Sequence, residues 1–194
     1  ATNDPERRTA QVSIVKQTLL IGDVHNRRDK LWSVLVKAGA VDEDTGRKNP
    51  DVHVVQLGDL VSLGYDEQEA KFYEWATGYI DELLIGNHEA PAFWFNNNHT
   101  HLGWDPNHWH GWKFGRDLAA EMMVRHKFQQ GGYKAATSIG PWLITHAGLI
   151  PKFQRECGLL NVPVAQVAEF INNRFRKAML ERKAPAFLEG GSSI

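Results

Sequence analysis

The sequence predicts an α/β fold in which a mostly parallel β-sheet carries helices on its faces. Three observations lead to this prediction. Short apolar runs alternate with segments of helical periodicity over residues 18–89, which is typical of parallel strands joined by helices. The apolar runs end in glycine and a polar residue, as buried strands do where they leave a sheet. Two later apolar runs meet at Gly140-Pro141, which indicates a hairpin.

Strand and helix patterns alternate through the first half of the chain. Apolar runs predict strands at 18–25, 52–59 and 81–89. After the first strand, four apolar residues at helical spacing predict a helix that stops at Gly39: Leu31, Val34, Leu35 and Ala38. A polar loop at 42–51 precedes the second strand. A second helix is predicted through 66–79, with Asp66 as a possible N-cap.

The second half of the chain begins with a segment that departs from the alternation of strands and helices. Residues 90–115 are rich in Asn, His, Trp and Gly, and predict a short helix followed by a long loop. A helix at 116–128 and the strands 134–140 and 141–148 come next. An amphipathic helix ends the pattern, with these apolar positions: Val164, Val167, Ala168, Ile171, Phe175, Ala178 and Met179.

Domain organisation follows from this pattern. No repeat or second composition regime is present, so we expect one domain over residues 1–194. Its motif-bearing core would lie at 17–150, with the segment at 90–115 as an insertion. Residues 1–16 are expected to form a loose arm.

Composition excludes several classes of protein. Of 194 residues, 42% are apolar and 23% are charged, and the formal net charge is -1. This balance argues against a general nucleic-acid binder or a membrane-surface protein. No apolar run approaches the ~18 residues of a membrane span. Cys157 is the one cysteine, so no intrachain disulfide is expected, and a cytoplasmic location fits best. A basic cluster on the last helix is interpreted as a solvated face: Arg174, Arg176, Lys177, Arg182 and Lys183.

Side chains with metal-ligand chemistry stand at the ends of four predicted strands. They are carried by the sequences GDVH (22–25), GD (58–59), GNHE (86–89) and THAG (145–148). The carboxyl ends of strands form the ligand crevice of open α/β sheets, and Asp, Asn and His suit divalent metals such as Mn, Fe or Zn. Each motif alone also fits a turn, a cap or a buried histidine. Because all four occur in order, we interpret them as one metal site, in which glycine lets neighbouring backbones approach closely.

These motifs closely resemble those of the calcineurin-like metallophosphoesterase superfamily. The GNHE and HAGL forms are most similar to its branch of Ser/Thr protein phosphatases and symmetrical diadenosine-tetraphosphate hydrolases. The resemblance covers residues 18–150 and implies a metallophosphoesterase-type α/β sandwich, with mixed sheets flanked by helices. It also implies two divalent metal ions, Mn first, with Fe, Zn, Ni or Co as alternatives.

The resemblance implies the metal ligands residue by residue. Asp23 and His25 would bind the first metal. Asn87 and His146 would bind the second, and Asp59 would bridge the two.

The catalytic groups are implied in the same way. His88 would donate a proton to the leaving oxygen or stabilise its charge. Asp59 would hold the nucleophile, a metal-bridging hydroxide whose pKa two cations lower. Asn87 would contact the substrate as well as its metal, and no covalent enzyme intermediate is expected.

The chain departs from the nearest branch on the phosphate-binding side. That branch has Asp-Arg where this chain has Ser62-Leu63. The Asp orients the catalytic histidine and the Arg grips the phosphate. Ser62 can still hydrogen-bond His88, but it cannot offset an imidazolium charge. Arg27 and Arg28 either replace the phosphate clamp or form a solvated helix start.

Further departures concern single positions. Asn26 stands where that branch usually has Gly. The family's late histidine, which completes the second metal's ligands, has no counterpart after His146. We expect the chain to continue into a strand that carries it, with another residue in its place as the alternative. Glu89 is expected to cap a helix or to bond nearby main chain.

The insertion at 90–115 offers further side chains that suit metals or bases. Its histidines would supply a ligand, line the substrate or belong to a lid: His99, His101, His108 and His110. Its tryptophans would stack on a nucleobase or pack the insertion onto the sheet: Trp94, Trp104, Trp109 and Trp112.

The predicted function is metal-dependent hydrolysis of a phosphate ester or anhydride. The substrate would be a phosphorylated small molecule, a nucleotide such as a dinucleoside polyphosphate, or a phosphoprotein. The alternative is a degenerate phosphatase-fold module that binds without catalysing. The absence of the late histidine and of the Asp-Arg pair favours the alternative.

Overall fold

The computed structural model of the protein describes residues 17–62, 68–90, 92 and 118–180. The strands are β1 (Gln17–Ile21), β2 (Val52–Gln56), β3 (Glu82–Leu84), β4 (Tyr133–Lys134), β5 (Ala136–Ile139) and β6 (Trp142–Thr145). The helices are α1 (Arg28–Lys37), α2 (Glu69–Thr77), α3 (Leu118–Gln129), α4 (Pro151–Glu156) and α5 (Val164–Leu180). Strands and helices alternate as far as β4, which confirms the mixed α/β class.

Strands β1 to β4 form one parallel sheet, in the order β1-β2-β3-β4. The register places Ile21 beside Gln56, and Gln56 beside Leu83. Leu84 pairs with Lys134 on β4. The first three strands therefore end at nearly the same level, and the segments that follow them meet at one edge of the sheet.

The core lies on both faces of β2. Val54 and Val55 alternate in direction along the strand and both are buried, as expected for a parallel strand covered by helices on each side. Leu31 and Leu35 give α1 its buried stripe. Val34, which the periodicity placed in the core, is 41% exposed, so the apolar face of α1 is narrower than predicted.

Strands β5 and β6 form the predicted antiparallel hairpin. Ala136 pairs with Thr145 at its open end and Ile139 with Trp142 beside the turn. Gly140 adopts a φ of +57° at this turn, a conformation that costs glycine little. The amphipathic helix α5 is confirmed, and five of its apolar residues are buried: Val167, Ala168, Ile171, Phe175 and Met179.

Two elements were not predicted from the sequence. Tyr133 and Lys134 form a short fourth parallel strand, which the sequence pattern had merged with β5. The short helix α4 starts with Pro151 as its first residue, a position that proline favours. The predicted N-cap Asp66 lies outside the described residues.

The described helices include none that is both long and apolar enough to cross a membrane.

The chain changes sheets at Ala135, and Asn172 on α5 stabilises this point. Its Oδ1 accepts the main-chain N–H groups of Ala135 and Ala136 at 2.8 and 3.0 Å. Its Nδ2 donates to the carbonyl of Ala136 at 2.8 Å. One side chain thus satisfies three main-chain groups at the junction of β4 and β5.

Replacing Asn172 with alanine is expected to lower the free energy of unfolding by about 1–3 kcal/mol, because partly buried main-chain groups lose their partner. Urea unfolding measures the change. The exposed neighbour Asn173 provides the matched control, and Asn173→Ala should change stability by less than about 0.5 kcal/mol. Equal effects of the two substitutions would contradict this role for Asn172.

Asp81 links β2 and β3 at the amino end of the sheet. Its Oδ2 accepts the N–H of Val54 at 2.8 Å, and its Oδ1 forms an ion pair with Lys48. The imidazole of His53 lies 3.7 Å from Oδ2. Burial raises the pKa of Asp81, but the contacts with Lys48 and Val54 outweigh burial and hold this pKa below its ordinary value.

The lowered pKa of Asp81 predicts an acid-dependent contribution to stability. Ionised Asp81 stabilises the fold above its unfolded pKa of about 4, and this stabilisation is lost as pH falls through the lower native pKa. Asp81→Asn should therefore cost about 1 kcal/mol at neutral pH and make stability less dependent on pH below about 4. Urea unfolding at several pH values tests this, with exposed Asp44→Asn as control. A variant that keeps the wild-type acid slope would refute the assignment.

Candidate metal centre

The predicted ligand residues come together at the carboxyl edge of the parallel sheet. Asp23 and His25 follow β1, and Asp59 follows β2. Asn87 follows β3, and His146 follows β6 of the hairpin. The parallel register places the segments after β1, β2 and β3 side by side. The end of β6 adds the fourth segment, which carries His146.

Main-chain hydrogen bonds join the segments that follow β1 and β2. The carbonyl of Asp59 accepts the N–H groups of Val24 at 2.9 Å and His25 at 3.0 Å. Asn26 donates its N–H to the carbonyl of Leu60 at 3.1 Å. These main-chain bonds fix the spacing of the two segments without a contribution from side chains.

The backbone at these strand ends is strained. His25, Asn26 and Asp59 have φ values of +48°, +61° and +56°. Among the described residues, one other non-glycine residue, Asn161, has a positive φ. Such conformations cost about 1–3 kcal/mol each and cluster at functional sites. The positive φ at position 26 also explains why the family that this sequence resembles usually has glycine there.

Glycine permits the close approach of the strand ends at two of the three predicted positions. A Cβ on Gly58 would lie 2.7 Å from the Cα of Gly86, and one on Gly86 would lie 2.1 Å from Asp59 Oδ1. A Cβ on Gly22 would meet nothing within 4 Å. The close-approach prediction is therefore confirmed for Gly58 and Gly86, and wrong for Gly22.

The carboxylate of Asp59 lies at the centre of the site. Its Oδ2 is 3.6 Å from His146 Nε2, 3.9 Å from His25 Nε2 and 4.0 Å from His88 Nε2. Asp23 faces two of these rings, since its Oδ2 is 3.8 Å from His25 Nε2 and its Oδ1 is 3.9 Å from His146 Nδ1. Asp59 is buried, whereas Asp23 is half exposed.

The potential ligand atoms form two groups that share Asp59. One group contains His25, Asp59 and His88, and the other contains Asp23, Asp59 and His146. Asn87 adjoins the second group, because its Oδ1 lies 2.9 Å from His146 Nε2. The groups share Asp59 as predicted, but they divide the other residues differently from the predicted ligand sets. Asp23, predicted for the first metal, lies with His146, and His88, which was not predicted as a ligand, lies with His25.

Main-chain carbonyls select the tautomer of two histidines. His146 Nδ1 donates to the carbonyl of Leu57 at 2.9 Å, and His88 Nδ1 donates to the carbonyl of Ser62 at 3.2 Å. A neutral ring that donates through Nδ1 carries its lone pair on Nε2. In both rings Nε2 is the atom that faces Asp59. Histidines that ligate metals commonly donate their other ring N–H in this way.

Glu89 accepts hydrogen bonds from the main chain at and around Asp59. It is fully buried, and its Oε2 accepts the N–H groups of Asp59 at 2.9 Å and Gly86 at 3.0 Å. Its Oε1 accepts the N–H of Val61 at 3.1 Å. Burial raises the pKa of Glu89, the bond from Val61 opposes this, and the nearby charge of Asp59 adds to the rise. Of the two predicted roles for Glu89, bonding to nearby main chain is confirmed.

Arg27 and Arg28 make contacts outside the ligand groups. The guanidinium of Arg27 pairs with Asp29, with 3.4 Å between Nε and Oδ1. That of Arg28 lies 4.4 Å from the ring centre of Trp75. Both side chains are exposed at the start of α1, and phosphate binding by them stays a prediction. The histidines and tryptophans predicted to line the site from 93–115 lie outside the described residues.

Sequence reasoning missed two buried polar side chains beside the site. Gln56 donates to the carbonyl of Gly58 at 2.6 Å and accepts its N–H at 2.9 Å, which closes the turn before Asp59. Glu69 accepts the N–H of Ser62 at 2.8 Å. A glutamine between the apolar residues Val55 and Leu57 was a usable signal for the first. Glu69 gave none, because it begins an ordinary amphipathic helix.

The donors fit divalent cations. Carboxylate oxygens, imidazole nitrogens and an amide oxygen suit Mn²⁺, Fe²⁺ and Zn²⁺. The separations of 3.6–4.0 Å around Asp59 match ligand atoms that each lie roughly 2 Å from a shared ion. Imidazole lone pairs and carboxylate oxygens repel one another at these distances unless a positive charge lies between them.

Comparison with known proteins gives no family. No protein-family model matches this chain, and searches of curated proteins and of solved structures found no match either. The geometry of the site therefore carries the functional proposal.

Two glycine substitutions test whether close packing of the strand ends shapes the site. Gly86→Ala would push a methyl group into Asp59, and should weaken Mn²⁺ binding about 10–100-fold, as loss of support around a ligand commonly does. Gly22→Ala adds the same methyl group where there is space, and should stay near the wild-type affinity. Isothermal titration calorimetry measures both. Equal affinities of the two variants would show that the packing does not shape the site.

Proposed function

We propose that the protein is a phosphoesterase of the calcineurin-like metallophosphoesterase type that works with two divalent cations. The observation that carries this proposal is the position of Asp59, whose carboxylate belongs to two groups of potential ligand atoms. Two-metal hydrolases that act on phosphate esters use paired cations roughly 3.5–4 Å apart. A carboxylate shared between two groups suits such a pair.

Each ligand has a defined task in this proposal. Asp59 would hold both cations, and its buried position would limit competition from water. Asp23 and His25 would hold one cation, and Asn87 and His146 would hold the other. The N–H groups of Val24 and His25, bonded to the carbonyl of Asp59, keep the two halves in register. When bound, the cations supply an activated water and neutralise charge on the phosphoryl group.

His88 acts on the leaving group. Its Nδ1 donates to the carbonyl of Ser62, so in the imidazolium form Nε2 carries the proton that is transferred to the leaving oxygen, and the ring is left neutral with its lone pair on Nε2. That atom lies 4.0 Å from Asp59 Oδ2, within the cluster of ligands. General acids of this kind contribute about 10²–10⁴-fold to rate.

The substrate is a phosphate ester or anhydride. A phosphoprotein or small phosphomonoester and a dinucleoside polyphosphate are the two classes that the motifs favour. Arg27 and Arg28 are proposed phosphate contacts, because they follow the ligand segment of β1 directly. Their pairing with Asp29 and Trp75 would have to open for this.

A binding module without catalysis is the second candidate. One observation favours it: His88 Nδ1 donates to a neutral main-chain carbonyl, in place of the carboxylate that the resemblance implies at position 62. A neutral partner stabilises an imidazolium less than a carboxylate does. Such a protein would bind cations and phosphates and turn over none.

Hydrolysis of p-nitrophenyl phosphate with Mn²⁺ separates the two candidates. Wild-type protein should turn over substrate, and Asp59→Asn should reduce turnover to background because the amide lacks the charge that holds two cations. His88→Ala should bind Mn²⁺ normally and lower kcat about 10²–10⁴-fold. Exposed His126→Ala is the control for histidine loss.

The outcomes are distinct. Turnover that survives Asp59→Asn would overturn the two-cation mechanism. Cation binding without turnover in Mn²⁺, Fe²⁺ or Zn²⁺ would favour the binding module. If the wild type is active, comparing a phosphopeptide with diadenosine tetraphosphate distinguishes the substrate classes.

A further inference from the structure

Glu69 is a second buried carboxylate near the site, separate from Glu89. It begins α2 and is fully buried. A single oxygen, Oε1, accepts both the main-chain N–H of Ser62 and the side-chain amide of Asn26. These donors come from the segments that follow β2 and β1, so Glu69 joins two segments that carry proposed ligands.

The ring of His88 is hydrogen-bonded to the main chain of Ser62. A main-chain carbonyl accepts the Nδ1 hydrogen of His88 at 3.2 Å. The position of that carbonyl therefore sets both the tautomer and the direction of the ring. Ser62 thus hydrogen-bonds His88, as the sequence suggested, and it does so through its main-chain carbonyl.

The main chain of Ser62 is in turn hydrogen-bonded to Glu69. The N–H of Ser62 donates to Glu69 Oε1 at 2.8 Å, and this bond is partly buried. Hydrogen bonds to a charged acceptor are about twice as strong as neutral ones. Glu69 thus anchors the residue whose carbonyl holds His88.

Glu69 also contacts Asn26, the residue next to His25. The side-chain amide of Asn26 donates to the same carboxylate oxygen. The rings of His25 and His88 lie 4.5 Å apart in an edge-to-face arrangement. One carboxylate therefore fixes both a neighbour of His25 and the partner of His88.

This arrangement of Glu69 and Asn26 has a cost in stability. Glu69 Oε2 and Asn26 Oδ1 are buried without a hydrogen-bond partner in the described part of the chain. A buried carboxylate with one unpartnered oxygen opposes stability. Features that break local rules in this way are expected at functional sites.

We propose that Glu69 is the positioning residue for His88, acting through the main chain of Ser62. In this chain it takes over the orienting task of the carboxylate that the resemblance implies at position 62. The proposal rests on the proposed function, since the consequence for turnover requires that His88 acts on the leaving group.

Kinetics of p-nitrophenyl phosphate hydrolysis with Mn²⁺ test the consequence. Glu69→Met removes the acceptor and keeps the side-chain length, and should lower kcat about 10–100-fold with little change in KM. Glu69→Gln keeps an acceptor oxygen and should retain kcat within about threefold. Exposed Glu74→Met on the same helix is the matched control. In a His88→Ala background, Glu69→Met should have no further effect.

A second measurement does not depend on activity. Long-range ¹H–¹⁵N spectra of the histidine rings, recorded on the metal-free full chain, report the Nδ1 hydrogen bond of His88, and the His88→Ala spectrum assigns its signals. Glu69→Met should shift these signals, and Glu69→Gln should leave them near the wild-type position.

Every outcome decides the proposal. Unshifted His88 signals in Glu69→Met, or additive losses with His88→Ala, would overturn it and leave Glu69 a purely structural residue. A third outcome is that wild-type protein shows no hydrolysis, while Glu69→Met still shifts the His88 signals. In that case the proposed function fails and the positioning role holds. Shifted signals together with non-additive kinetics support both.

Discussion

Glu89 places a buried carboxylate between the ends of β2 and β3, where it accepts three main-chain N–H groups. Two of them belong to Asp59 and Gly86, which approach so closely that no side chain fits between them. Without an acceptor, these buried N–H groups would each cost about 1–3 kcal/mol. The turn that presents the Asp59 carboxylate to the histidines depends on Glu89 for the N–H of Asp59 and on Gln56 for the main chain of Gly58.

The amino ends and the carboxyl ends of the parallel strands carry charged groups in different surroundings. At the amino edge, Asp81 bonds to Val54 and pairs with Lys48, so its charge is compensated. At the carboxyl edge, the oxygens of Asp23 and Asp59 face imidazoles across 3.6–3.9 Å, and the backbone is strained. Strained backbone commonly accompanies functional sites, and its presence together with clustered acceptors at the carboxyl ends of the strands agrees with the proposed metal site.

Local pattern predicted much of the fold and the candidate site. Alternating runs located β1, β2 and β3, and the order of motifs located Asp59 and its neighbours. The pattern could not reveal which glycine is required by close approach: Gly22 and Gly86 precede ligands identically, yet only Gly86 is crowded. Crowding depends on which strands lie side by side, and a single sequence does not state this. The role of Glu69 was hidden for the same reason, whereas Gln56 carried a signal as a polar residue between apolar ones.

The position of β1 has a consequence for how the site holds together. Among the described strands it lies at the end of the sheet, and Leu20 is 42% exposed, whereas the neighbouring β2 is buried. Edge elements with little buried surface open locally at lower free energy than the core. Asp23 and His25 are thus attached to a strand that is expected to open more readily than β2, which carries Asp59. A cation bound by ligands from both strands would stabilise the state in which β1 is paired with β2. Occupancy of the site and amide hydrogen exchange along β1 are therefore thermodynamically linked.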